Sequence, residues 1–162
     1  MPRSLRDALA AAAERVAPDM NAQSVANTLN AYPKLEEAAA EMPRSLRDAL
    51  AEAAERVAPG MNAQDVANTL DAYSKLAEAA AVMPRSLRDA LAEAAERVAS
   101  SMNAQSIANT LNAYAKLEAA AAEMPRSLRE ALAKAAARQR TKMNAIEFGM
   151  TQRACEKLEI AM

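Results

Sequence analysis

The hexapeptide Met-Pro-Arg-Ser-Leu-Arg begins at Met1, Met42, Met83 and Met124, and each start lies 41 residues beyond the last. A second mark, Met-Asn-Ala, keeps the same period at Met20, Met61, Met102 and Met143. Self-similarity at a period of 20–50 residues signals a stacked repeat array, in which one supersecondary unit buries its apolar face only against its neighbours. Residues 1–41 and 42–82 agree at 34 of 41 positions, so each unit must fold alike. The chain reads as one repeat domain, 1–162, divided into 1–41, 42–82, 83–123 and a degenerate 124–162.

Each unit carries two stretches with helical rhythm and no period-two alternation. The first starts near Pro2 (Pro43, Pro84, Pro125), where Pro suits a first helical turn, with a Ser4–Asp7 capping box as an alternative start. Leu5, Ala8, Leu9, Ala12, Ala13 and Val16 form its apolar stripe, and Arg3, Arg6, Asp7, Glu14 and Arg15 form a solvated opposite face. The helix should stop at Pro18-Asp19, and Asn21, Asn62, Asn103 and Asn144 are natural N-caps for the second helix. In that helix Ala22, Val25, Leu29, Tyr32, Leu35 and Ala39 share the buried side. The expected fold is all-α: a short α-solenoid of four helix-turn-helix repeats, of the general HEAT, armadillo or octotricopeptide kind.

The outer stripe of the second helix is the candidate ligand groove. It comprises Gln23, Asn27, Asn30, Lys34 and Glu37, then Gln64, Asn68, Asp71, Lys75 and Glu78, then Gln105, Asn109, Asn112 and Lys116. Asn opposes helix propensity, so its recurrence asks for a compensating role. Two are open: a hydrogen-bonded ladder that fixes repeat stacking, or amides that offer donor and acceptor together to a peptide backbone or a nucleobase edge. Tyr32, Tyr73 and Tyr114 read as core residues with satisfied hydroxyls, and Cys155, which takes the repeat's Tyr position, as a buried inert thiol.

The two ends differ. Repeat one shows no polar cap, since its apolar stripe matches that of repeat two. In the last repeat Gln139 and Arg140 replace Val and Ala, Gln152 replaces Leu, and Ile146, Met150 and Ile160 replace outer polar residues. With Arg138, Arg140, Lys142 and Arg153 these form a candidate end or partner surface. Residues 1–123 carry 12 basic and 17 acidic side chains, or −5, against 8 and 4, or +4, in residues 124–162. That opposition favours head-to-tail self-association, or a place within a longer array.

With no His and a single Cys, the chain lacks the residues for His-based acid–base catalysis, a Ser-His-Asp unit or an ordinary zinc site. No cofactor, metal or enzymatic activity is expected. Without a signal-peptide core or a membrane-spanning apolar run, it reads as soluble and intracellular, leaderless secretion as an effector remaining open. The partners expected are a protein or peptide, with single-stranded RNA as the alternative, and no membrane.

The run Met61-Asn62-Ala63-Gln64-Asp65-Val66-Ala67-Asn68-Thr69-Leu70-Asp71-Ala72-Tyr73-Ser74-Lys75-Leu76 resembles the core motif of octotricopeptide-type repeats. The likeness covers residues 1–145. It implies paired-helix repeats and, as in the family's organellar members, selective binding of single-stranded RNA. Where that family carries Trp after Asn-Thr-Leu, this chain has Asn30, Asp71 and Asn112.

Overall fold

The computed structural model describes residues 3–32, 42–76 and 83–161. Pro2, Lys34, Leu35, Glu37, Ala39 and Glu78 of the sequence reading lie outside them. Of the described residues 85% are helical, and none forms a strand. The architecture is an all-α helical repeat solenoid. Its helices are α1 (Arg3–Val16), α2 (Ala22–Ala31), α3 (Arg44–Val57), α4 (Ala63–Lys75), α5 (Arg85–Val98), α6 (Ala104–Lys116), the short α7 (Glu118–Ala122), α8 (Arg126–Gln139) and α9 (Ala145–Lys157). The starts of α1, α3, α5 and α8 keep the 41-residue period of the sequence.

Local chemistry sets the boundaries. Pro43, Pro84 and Pro125 stand one residue outside the helix as N-caps, not in its first turn. Their carbonyls accept the first helical bonds, from Arg47, Arg88 and Arg129. Each first helix then tightens into a single 3-10 turn, Ala17–Asp19, Ala58–Gly60, Ala99–Ser101 or Arg140–Lys142. The four Asn caps form as expected. Asn21 accepts from the Ser24 amide and Asn103 from Ser106, while Asn62 with Asp65 and Asn144 with Glu147 make full capping boxes. The second helix is shorter than its apolar rhythm suggests. Leu76 and Leu117 leave helical geometry at ψ 78° and 79°. After Leu117 the break starts α7, so that Leu117 and Ala120 both face the core.

The helices form two layers. Successive second helices (α2, α4, α6, α9) make the closest helix–helix junctions of the molecule, whereas the first helices (α1, α3, α5, α8) meet more sparsely. The second helices are therefore the tighter of the two layers. Small buried residues allow that approach: Ala67, Thr69, Ala108, Thr110 and Thr151 are almost fully enclosed. The core is a continuous seam through all repeats, led by Leu46, Leu50, Leu70, Leu87, Leu91, Leu111, Leu128 and Leu132.

Ties between repeats come from the first helix. The Nη2 of Arg56 donates to the carbonyls of Ala17 (3.3 Å) and Met20 (2.8 Å) in the preceding turn. Arg97 repeats this on Ala58 (3.3 Å) and Met61 (2.7 Å), and Arg138 reaches Ala99 (3.1 Å). Ser45, Ser86 and Ser127 donate to Glu14, Glu55 and Glu96, at 2.9, 2.7 and 2.8 Å. The Ser–Asp capping box is therefore not made in these three repeats, because the hydroxyl reaches the neighbouring repeat instead. Nor is the charged face of the first helix simply solvated. Arg88 bonds Glu123 and the Met83 carbonyl, and Arg129 bonds the carbonyls of Ala121 and Leu158.

Candidate binding face

Because the second helices stack closely, one side of that layer presents repeat-equivalent residues as rows across its outer surface. One row runs Gln23, Gln64, Gln105, Ile146; the next runs Asn27, Asn68, Asn109, Met150; a third runs Asn30, Asp71, Asn112, Arg153. The groove stripe and part of the end surface are thus one face. Gln23, Gln64, Gln105 and Asn27 are exposed, while Asn30, Asn68, Asn109, Asn112 and Met150 are half-buried.

None of these amide side chains makes a hydrogen bond among the described residues, so the ladder that could have explained the recurring Asn is absent there. The arginine and serine ties of the first helices serve that purpose. A half-buried amide without a partner keeps both its donors and its acceptor available to something laid along the face. The exception is the third row, where buried Asp71 pairs with Lys75 four residues on and neutralises it. Lys116 has Asn112 four residues before it in place of an Asp and is exposed, with no ion pair among the described residues. The face is therefore neutral at Asp71 and Lys75 and positive at Lys116 and Arg153.

At the last repeat the rows turn apolar and basic. Ile146 is 75% exposed, the largest such fraction for a big hydrophobic among the described residues. Arg153 and Lys142 are exposed, and Arg140 lies over the Phe148 ring at 5.7 Å from its centroid. Two members of the sequence-derived end surface are corrected. Arg138 is not free, since its guanidinium ties back to the turn of repeat three. Ile160 is buried: the helix ends in a Schellman turn, with the amides of Ile160 and Glu159 bonding the carbonyls of Cys155 (2.9 Å) and Glu156 (3.3 Å), and the reversal folds Ile160 inward.

The aromatic and thiol groups play no part in this face. Tyr73 and Tyr114 are buried as expected, and burial holds both phenols protonated far above their ordinary range. Their hydroxyls, expected to be satisfied, meet no partner among the described residues, nor do those of Thr69, Thr110 and Thr151. The threonine row was missed in the sequence, although its 41-residue recurrence on the apolar side was there to read. Cys155 is buried, and desolvation, with Glu156 beside it, pushes its thiol up, away from a reactive thiolate. No helix among the described residues is long and apolar enough to cross a membrane.

The profile of a protein family described as RNA-editing substrate-binding complex 6 protein matches residues 3–155. No curated protein and no solved structure matches the chain at a significant level.

Proposed function

The chain belongs to the RNA-editing substrate-binding complex 6 protein family, and from that premise we propose that it is a non-catalytic helical-repeat scaffold that holds a protein segment along the outer face of its second helices. The observation that carries this reading is the row of unpartnered amides at Asn68 and Asn109 running into Met150, beside Gln64 and Gln105 running into exposed Ile146. Amides suit the alternating donors and acceptors of an extended backbone, and Ile146 with Met150 gives an apolar side chain somewhere to rest. The acidic body, −5 over residues 1–123, disfavours a polyanion along most of the face.

Single-stranded RNA is the second reading, and the family's description favours it. Under that reading the repeats are of octotricopeptide type, and Asn68, Asn109 and Asn112 would address base edges, with Lys116 and Arg153 at the phosphates. Salt dependence separates the two. Binding to a random-sequence single-stranded RNA pool should fall steeply with ionic strength if phosphates are engaged, whereas a peptide selected from a display library should be held almost independently of salt. In either case Asn68→Ala with Asn109→Ala should weaken capture while the helix content holds. Undiminished capture by that double variant would remove this face from consideration.

A further inference from the structure

The junctions between successive repeats close with one shared set of contacts, and the first repeat carries half of that set unused. In the interior, Leu46, Leu50, Leu87, Leu91, Leu128 and Leu132 are fully buried. Their counterparts in α1 are not: Leu5 is 47% exposed and Leu9 51%, and Val16, in the place of half-buried Val57 and buried Val98, is 44% exposed. Three of the four large hydrophobics exposed among the described residues therefore lie on one helix face. The polar members match. Ser4 and Arg15 occupy the places of Ser45 and Arg56 and have no partner among the described residues. An apolar face with its hydrogen-bond donors in place is an open junction, not a cap.

The three closed junctions say what completes it. The complementary side supplies a glutamate, as Glu14, Glu55 and Glu96 do, and two carbonyls of an inter-helix turn. The chain's own C-terminal repeat does not present that side. Ala137 stands where the glutamate should be, and Gln139 and Arg140 replace the Val98 and Ala99 of repeat three. Arg153 and Glu156 likewise replace Asn112 and Ala115 on the second helix. We propose that the exposed face of α1 docks a helical hairpin of this same repeat type, which supplies a glutamate to Ser4 and a pair of turn carbonyls to Arg15. The repeat code, rather than the charge opposition between the two ends of this chain, selects the occupant.

The test mixes the full chain with a probe version of itself. The probe carries Ala137→Glu, Gln139→Val, Arg140→Ala, Arg153→Asn and Glu156→Ala, each the residue found at that place in repeat three, plus Leu9→Lys to block its own open face. By light scattering the mixture should give a one-to-one complex of twice the 17.2 kDa chain mass. Arg15→Ala in the wild-type member should weaken it roughly tenfold or more, as expected for a charge-assisted hydrogen bond at an interface. Three results would overturn the proposal. One is no complex although circular dichroism shows both chains helical. Another is a complex indifferent to Arg15→Ala and Ser4→Ala, which would be unspecific apolar contact. The third is equal binding by a Leu9→Lys chain without the other five changes, which would make a second wild-type copy the occupant. Should the full probe fail to fold, Ala137→Glu with Arg140→Ala and Leu9→Lys asks the same question.

Discussion

Arg97 donates from Nη2 to the carbonyl of Met61 at 2.7 Å, joining the end of one first helix to the turn of the repeat before it. The same guanidinium reaches the Ala58 carbonyl at 3.3 Å, which also accepts the Met61 amide at 3.1 Å, so one side chain clasps both ends of the 3-10 turn. Repetition at Arg56 and Arg138 makes this the common tie of the array.

Replacing Arg97 by Ala should therefore cost about 1.5–3 kcal/mol, the usual worth of hydrogen bonds to a charged donor. Arg15→Ala should cost almost nothing in the isolated chain, because Arg15 has no such carbonyls before it among the described residues. Urea unfolding of the two variants measures the difference, and equal losses would show that the arginines do not act as ties between repeats.

The leucines give a second contrast between interior and end. Leu50 and Leu91 are fully enclosed, and truncation to Ala should cost about 2–5 kcal/mol through lost transfer energy and a residual cavity. Leu9 has the same sequence neighbours but is half exposed, so Leu9→Ala should cost under about 1 kcal/mol. Thermal melts of the three variants decide whether the first repeat is open at its outer side.

These contrasts mark what the sequence made legible. The period, the four Asn caps and the leucine rows were readable because each rests on local rhythm or on a residue whose chemistry has few uses. The lack of a cap on repeat one was also visible, since Leu5, Leu9 and Val16 persist there unchanged. The arginine ties were not recognised because they span 36 to 39 residues and look, on a helical wheel, like half of a solvated salt bridge. A signal existed: Arg15, Arg56, Arg97 and Arg138 persist through all four repeats, even where the adjacent Glu becomes Ala137. The inward fold of Ile160 had no such signal, because the turn that causes it uses Glu159 where Gly would have announced it.

The mid-helix asparagines supply the third expectation. Asn68 and Asn109 make no hydrogen bond among the described residues, so changing both to Ala removes a propensity penalty and no hydrogen bond. The melting temperature should stay level or rise. A fall of several degrees would reinstate the ladder between repeats.

Acid should loosen the hold of α5 on the segment that ends repeat three. The Arg88 guanidinium, by hydrogen bond and by charge, holds Glu123 below the usual carboxylate range. A group with a depressed folded pKa contributes its stability above the unfolded value and loses it as pH falls through the folded one. The bond should thus be intact at neutral pH and lost only once the medium is more acid than an ordinary Glu requires. Carboxyl NMR titration of Glu123 reads this directly. Arg88→Met should return the titration to the ordinary range, and an unchanged midpoint would separate the two groups in solution.

The C-terminal turn offers a stabilising change. Glu159 takes φ 55°, the sole positive φ outside glycine among the described residues, and a side chain there brings Cβ against the following carbonyl. The position is the left-handed residue of a Schellman turn, where Gly is the preferred occupant. Glu159→Gly should relieve about 1 kcal/mol, less the entropy that Gly adds to the unfolded chain. What makes the turn worth its strain is Ile160, which it carries into the core near Cys155. Ile160→Ser should accordingly cost about 1–3 kcal/mol, by losing apolar burial and leaving a hydroxyl to be buried. If denaturation finds Glu159→Gly destabilising while Ile160→Ser is neutral, the chain end does not fold back in solution, and Ile160 would rejoin Ile146 and Met150 on the exposed end.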